Sequence, residues 1–413
     1  WKGRRKKTGA AYMGKVIITK KDNCILLFLM DTAGRPQLIR AASLPEKEEI
    51  LGNIYVGRVS EVIHGIDAAF IAISKSETVF LSFSDCQEPM LRNRDYDGIL
   101  KQGDELAIQI KASALKTKHP VATTKLSLAG QYCVCEKSGH NISCSAKLKK
   151  DVSMVLKEAV LKEEIIDRKK YSFILRTNAG SLTDLSPLFD EMRQFIAFFN
   201  KLDEIYKYRS LYSCLYSSKP EVIRLLEGIP VSEYEEIVTD EADLYKLLTD
   251  NFENSSVRFY QDDMLSLSKL YSIDTHLKEA LAKKVWLKCG GYLVIEPTEA
   301  MVVIDVNSGK TDSRGKEKEA YYLKVNLEAA KEVARQLRIR NYSGMIMVDF
   351  INMEHEENNR ILLSALDEYL RTDNTKTRLV DMTALGIVEI TRKKERKPLS
   401  EWLDMQTFKC YIL

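Results

Sequence analysis

Apolar and polar residues along this chain follow two periods, about two and about 3.6 residues, and each predicts a different element. Between residues 15 and 40 the apolar runs "KVIITK", "CILLFLM" and "QLIRA" lie around the turn residues "DTAGRP", which predicts a small β segment. Residues 53 to 127 hold five more strand candidates, "NIYVGRVSEVI", "AAFIAIS", "TVFLSFS", "ELAIQIKAS" and "VATTKLS", with Gly and Asp at the turns. Five short strands in succession suggest an OB-type barrel. From 151 to 210 the period becomes helical: Leu188, Met192, Phe195, Phe199, Leu202 and Tyr206 recur every three or four residues, behind Ser186 and Pro187 as cap and first turn. That stripe is core.

Within the barrel, alternation assigns faces. Ile71 and Ile73 on one strand and Val79 and Leu81 on the next form the inward set, so Phe70 and Phe80 point outward. Two outward aromatics on neighbouring strands are a stacking platform for unpaired bases. Packing of one ring against a neighbouring domain is the alternative. Further on, "KYSFILRTNAG" at 170 to 180 is a short buried strand that delivers Arg176 and Thr177 to its end, where a guanidinium fork beside a hydroxyl could hold a phosphate. A structural role for both residues fits that stretch equally well. Residues 218 to 283 carry mixed short elements and no catalytic constellation.

The informative region begins at 284. "GGYLVIEP", the turn "PTEA" and "AMVVIDV" read as a β hairpin. A charged loop leads into the helix "LKVNLEAAKEVARQLRIRN", with Leu327, Ala330, Ala334 and Leu337 as its apolar stripe, and the chain returns as the strand "GMIMVDF". Strand, crossover helix and strand is the order that sets two strands side by side. If they are parallel neighbours, Asp305 and Asp349 lie at the same end of the sheet. Two carboxylates at that range repel unless a cation sits between them. Hard oxygen ligands without His or Cys favour magnesium or manganese, and Asn307, on the same strand face as Asp305, can orient a carboxylate. A strand-end aspartate alone more often caps a turn; the pair, with Gly309 in one loop and Gly344 at the start of the other strand, favours the metal.

Composition narrows the class. The 413 residues are 45% hydrophobic, enough for several packed cores. The longest apolar stretches fall short of the roughly 18 residues that span a bilayer, and no signal peptide precedes them, so the expected location is cytoplasmic. The eight cysteines form no C-x-x-C pair, which predicts reduced thiols. Lys and Arg number 62 against 59 Asp and Glu, a net charge of +3. A polyanion would therefore be held by local clusters such as "KGRRKK", "AKLKK", "RKK" and "RKKERK", each of which taken alone is more often a solvated surface. Residues 1–12 read as a basic arm outside the fold.

A collinear series of stretches carries a resemblance. "GNIYVGRV", "AAF", "SLAGQY", "RTNAG", "VWLKCGGYLVIEPTEAMVVIDVNSGK", "NLEAAKEVARQLRIRN", "GMIMVDFINM" and "EITRKK" together resemble the ribonuclease E/G family. The resemblance implies a metal-dependent endoribonuclease that cuts single-stranded RNA and leaves a 5′-phosphate and a 3′-hydroxyl. It implies that Asp305 and Asp349 bind the metal, with Asn307 supporting them in catalysis. It implies that Phe70, Phe80 and Lys118 contact RNA on a ribosomal-S1-type OB domain, and that Gly130, Val134, Arg176, Thr177 and Lys376 form a pocket for the RNA 5′-monophosphate. The chain departs from other members in the extra residue of "RTNAG", in Lys376 where some have Arg, and in Asn352 where many have Asp.

The implied fold is α+β and multidomain. A ribonuclease-H-like subdomain comprises 13–47 and 218–283; the OB domain, 48–125, and a sensor region, 126–217, are inserted between its halves. A deoxyribonuclease-I-like catalytic subdomain, 284–397, and a tail, 398–413, follow. The expected substrate is unpaired, A/U-rich RNA from ribosomal or transfer RNA precursors or messages. A catalytically inactive RNA-binding regulator of the same family is the alternative, against which Asp305, Asn307 and Asp349 together argue. An enzyme of small phosphate esters would have no use for outward aromatics on a barrel. Only Cys410 lies in the tail, where family members carry a cysteine-bearing zinc link, so the expectation is no structural zinc and a monomer or weak homo-oligomer.

Overall fold

The computed structural model describes residues 14–44, 50–112, 119–163, 170–252, 256–309 and 316–403. Lys118, the basic arm and Cys410 lie outside the described residues. The chain divides into two compact units, Trp1–Leu44 with Val231–Leu413, and Pro45–Pro230. Among the described residues no helix is long and apolar enough to cross a membrane, and none of the seven described cysteines is in a disulfide.

Strands β1 (Gly14–Lys21), β2 (Cys24–Met30) and β3 (Pro36–Ser43) form an antiparallel meander with the turns read above. In the second unit β4 (Ile54–Ile63), β5 (Ala68–Ala72), β6 (Thr78–Ser82), β7 (Glu105–Ala112) and β8 (Val121–Thr123) close into a five-stranded barrel, because β4 pairs with both β5 and β7. It is consistent with an OB-type fold. Ile71, Ile73, Val79 and Leu81 fill it, and each is almost fully buried.

Beside the barrel, β9 (Ser127–Ala129), β10 (Cys133–Glu136), β11 (Ile142–Cys144) and β12 (Ser172–Leu175) make a four-stranded sheet. It is packed by α1 (Lys150–Lys162) and α2 (Ser186–Ile205). Leu188, Met192, Phe199 and Leu202 of α2 are buried as their spacing requires. Leu185 rather than Ser186 is the cap position, and the Asp184 carboxylate just before it accepts from the Ser186 amide at 3.1 Å. Strand β13 (Cys214–Tyr216) pairs with β4, and α3 (Glu221–Glu227) follows within this unit.

The chain then re-enters the first unit. Strands β14 (Tyr234–Thr239) and β15 (Ser256–Phe259) extend the β1–β3 meander into one five-stranded sheet in which β14 lies parallel to β1. Helices α4 (Ala242–Asn251), α5 (Leu267–Leu270) and α6 (Ile273–Leu281) accompany them.

The last sheet holds β16 (Lys284–Trp286), β17 (Tyr292–Pro297), β18 (Met301–Asn307), β19 (Gly344–Asp349), β20 (Thr377–Met382) and β21 (Ile387–Arg392), in the order 16-17-18-19-21-20. Helices α7 (Lys316–Arg340) and α8 (Glu356–Arg371) pack on one face. Val325, Ala329, Ala330, Val333, Ala334 and Leu337 are the buried stripe of α7, and Leu327 lies half-buried at its border. The small alanines bring the helix axis close to the sheet. Its C-terminal part also meets the other sheet of this unit, where Arg40 donates to the Arg338 carbonyl at 2.6 Å.

Candidate active site and nucleic-acid interface

Alternation in β18 sends Val302, Ile304 and Val306 into the core beneath α7, leaving Val303, Asp305 and Asn307 on the opposite, open face. In β19, Ile346 and Val348 face the core and Asp349 does not. The two strands are parallel neighbours with Asp305 and Asp349 as direct register partners. Their Cα atoms are therefore about 4.8 Å apart at one end of the sheet. Both carboxylates are exposed, and among the described residues neither is in an ion pair. Asn307 donates its amide to Asp305 at 2.7 Å.

The backbone on either side is held by residues that the sequence reading did not single out. Fully buried Asn326 of α7 donates to the Ile351 carbonyl at 2.8 Å and accepts from the Ile351 amide at 3.1 Å, which fixes the chain two residues beyond Asp349. Glu319 accepts from the His355 amide at 3.2 Å and from Asn358 at 2.9 Å. The Asn358 bond, with the neighbouring amides, holds the Glu319 carboxyl below the usual range. Tyr321 donates to the Ser308 carbonyl at 2.9 Å, steadying the loop beyond Asn307. Gly309 sits at φ +72°, and a Cβ there would come within 2.6 Å of the Gly290 carbonyl oxygen, so glycine is required where the two loops meet. The one sequence signal for Asn326 is a lone amide within an apolar helical stripe.

The residues present fit a divalent cation by their chemistry: two hard-oxygen ligands, repelling each other and exposed to solvent, with an amide steadying one of them. Among the described residues no three His, Cys, Asp or Glu side chains converge into a closed metal cage. An open two-carboxylate site is the arrangement magnesium tolerates.

On the barrel, Phe70 and Phe80 are direct register partners on the face opposite Ile71, Val79 and Leu81, their rings 5.9 Å apart and edge-to-face. His119 adds a third ring 5.2 Å from Phe70, anchored by its Nδ1 to the Thr78 carbonyl oxygen at 3.0 Å. His119 falls in no strand period, so the sequence alone does not mark it.

Arg176 follows β12, and its guanidinium donates to the Gly130 carbonyl, while Thr177 Oγ1 lies 3.3 Å from Ser145 Oγ. Val134 of β10 is half-buried and pairs with Ala129, the residue before Gly130. Glu191 of α2 accepts from the backbone amides of Gln131, Tyr132 and Cys133 at 2.6, 2.9 and 2.8 Å. Burial pushes its carboxyl above the usual range against the pull of those three donors. A Cβ at Gly130 would collide with that carboxylate at 2.1 Å, which accounts for the glycine. The extra residue, Asn178, lies buried in a 3₁₀ turn with its amide 3.3 Å from the Glu227 carbonyl oxygen. Lys376 belongs to the other unit, where it precedes β20 and its carbonyl accepts from the Lys393 amide at 2.9 Å.

The described residues thus hold a closed barrel with outward aromatics and a half-covered sheet ending in paired carboxylates. The family model described as the ribonuclease E/G family matches residues 127–395, and the chain belongs to that family. Ribonuclease G of Escherichia coli K12 is 29% identical over 377 residues, covering 88% of this chain and 76% of the relative. Ribonuclease G of Haemophilus influenzae is 29% identical over 384 residues, covering 88% and 77%. Ribonuclease E of Synechocystis is 27% identical over 407 residues, covering 96% of this chain and 59% of the relative.

Proposed function

We infer that the protein is an endoribonuclease, a hydrolase of phosphodiester bonds, and propose that it is magnesium-dependent, cutting single-stranded RNA to leave a 5′-phosphate and a 3′-hydroxyl. The observation that carries this reading is the register pairing of Asp305 with Asp349 on an open sheet face, in a chain of this family. Asp305 and Asp349 would hold a magnesium or manganese ion, which supplies positive charge at the scissile phosphate and makes water a better nucleophile at neutral pH. Asn307 keeps the Asp305 carboxylate in one orientation. Phe70 and Phe80, with His119 beside them, stack unpaired bases, and Lys118 neutralises a phosphate. Stacking without base-edge readout makes the sequence preference weak, for A/U-rich unpaired segments.

Arg176 and Thr177, with Gly130 and Val134, are read as the pocket for a 5′-monophosphate. The fork of a guanidinium matches phosphate oxygens, and Gly130 and Arg176 already meet through a hydrogen bond. The sheet of β1–β3 with β14 and β15 is read as the ribonuclease-H-like subdomain, and the six-stranded sheet with α7 and α8 as the deoxyribonuclease-I-like one. Incubation with a short 5′-phosphorylated single-stranded RNA tests the activity. Cleavage in magnesium that stops in EDTA supports the enzyme; tight binding without turnover in either condition would leave only an RNA-binding regulator.

A further inference from the structure

The open face of the catalytic sheet carries a second aromatic pair that the proposed reaction leaves unused. Trp286 on β16 is 66% exposed, while its strand neighbours Val285 and Leu287 turn into the core on the other face. Across the sheet Trp286 is the register partner of Tyr292, and Tyr292 of Asn307. One row of the ladder thus runs from the tryptophan to the asparagine that supports Asp305. The next row runs from Lys284 through Val294 to Asp305 and Asp349. The Trp286 and Tyr292 rings are 5.2 Å apart and inclined at 59°, and Lys284 Nζ lies 4.0 Å and 3.5 Å from their centroids. A cleft of 510 Å³ opens between these rings, Asn307, Ser308 and Gly309. That volume lies within the range of small-molecule sites, and a single base fits it.

We propose that Trp286, Tyr292 and Lys284 form a nucleotide subsite that holds an unpaired base beside the scissile phosphate of the RNA; this rests on the reading of Asp305 and Asp349 as the reaction centre. A large aromatic left in water on an open sheet face is the unit from which single-strand platforms are built, and it accepts any base. Lys284 now occupies the ring faces, but an exposed cation–π contact is weaker than a base stacked on an indole. An arriving base displaces the ammonium, which then swings onto the backbone phosphate on its flexible stem. Anchoring the base in the ladder row of Asn307, one same-face row from Asp305, sets the register of the strand over the two carboxylates. The subsite therefore positions substrate and takes no part in the bond changes.

The test is an abasic scan. A single-stranded RNA with one defined cleavage site is prepared intact and with an abasic nucleotide at each successive position around that site. KM and kcat are measured in magnesium for the wild type, Trp286→Ala and Trp286→Phe. Trp286→Ala should raise KM on intact RNA about tenfold with kcat nearly unchanged, and Trp286→Phe should restore most of the loss, because the ring rather than the indole is needed. At one position the abasic lesion should raise the wild-type KM by a similar factor and add nothing in Trp286→Ala. Lys284→Gln should lower the salt slope of binding by about one unit. Unchanged KM in Trp286→Ala, or penalties that add at every abasic position, overturns the subsite. A merely structural tryptophan would lower the melting temperature of Trp286→Ala without coupling to any lesion. Failure of the wild type to cut intact RNA would instead sink the reading of the carboxylates. In that event quenching of Trp286 fluorescence by the same RNA in EDTA, compared with its abasic forms, still decides whether a base stacks here.

Discussion

Asn307 and Asp305 stand two residues apart on one strand face, so a single amide can hold a carboxylate in line without help from the core. Because Asp305 is exposed and Asn307 lies half-buried on the open face, Asn307→Ala should change the melting temperature little and lower cleavage about 10- to 100-fold, as losing the orienting partner of a ligand typically does. Wild-type turnover in that variant would remove Asn307 from the site. On the barrel, Phe70→Ala and Phe80→Ala should each weaken single-stranded RNA binding by about 1 to 3 kcal/mol. A large drop in stability with unchanged affinity would make those rings core. The two aspartates were visible in the sequence because an apolar run that stops at a charge needs no partner to be noticed. His119, Glu191 and Trp286 were not, since each acquires meaning only from residues brought to it by tertiary pairing.

Between elements, two buried polar residues, Arg392 and Asn326, hold the last sheet to its helices. Arg392 of β21 donates to Asp373, just past α8, at 2.7 Å, and to the Asn341 side chain and Tyr342 carbonyl beyond α7 at 3.0 and 2.9 Å. Burial alone would push the Asp373 carboxyl up, but its hydrogen bond and charge pairing with Arg392 outweigh that, and it stays below the usual carboxylate range. The unfolded chain then binds the proton more readily, so this stabilisation is present above the unfolded pKa of about 3.9 and is lost as pH falls through the lower folded value. Asp373→Asn should cost about 3 to 5 kcal/mol at neutral pH, because it strands a buried guanidinium, and should flatten the acid limb of the unfolding profile. An unchanged acid limb by circular dichroism would contradict the assignment. Asn326→Ala leaves both Ile351 backbone groups without their partner; a loss of about 2 kcal/mol with reduced cleavage is expected. Period-two alternation located the barrel strands and both aspartate strands, since each face is decided locally. The joining of β1 to β14 was not legible from periodicity: Lys15 meets Glu236 from 221 positions away, and a strand's period says nothing about its partner.

At the scale of the molecule, the aromatic barrel and the Arg176 turn belong to one compact unit and the paired carboxylates to the other. Loss of Arg176 should therefore change which RNA ends are favoured without abolishing the reaction. Arg176→Ala should remove the preference for a 5′-monophosphate over a 5′-hydroxyl, leaving cleavage of the hydroxyl substrate close to wild type. Equal rates on both ends in the wild type would show that no such pocket operates. The order of motifs along the chain made the positions of these residues readable, whereas buried Asn326, which holds the backbone beyond Asp349, was hidden inside the stripe of α7. The central claim is that Asp305 and Asp349 together form the reaction centre. Its most direct test follows cleavage of an end-labelled single-stranded RNA by the wild type and by the Asp305→Asn/Asp349→Asn double variant, in magnesium, in EDTA, and in EDTA followed by excess magnesium. The wild type should cut, stop and resume, while the double variant, folded and still binding the RNA, stays inert throughout; cleavage by the double variant near the wild-type rate, or by the wild type in EDTA, would contradict the account.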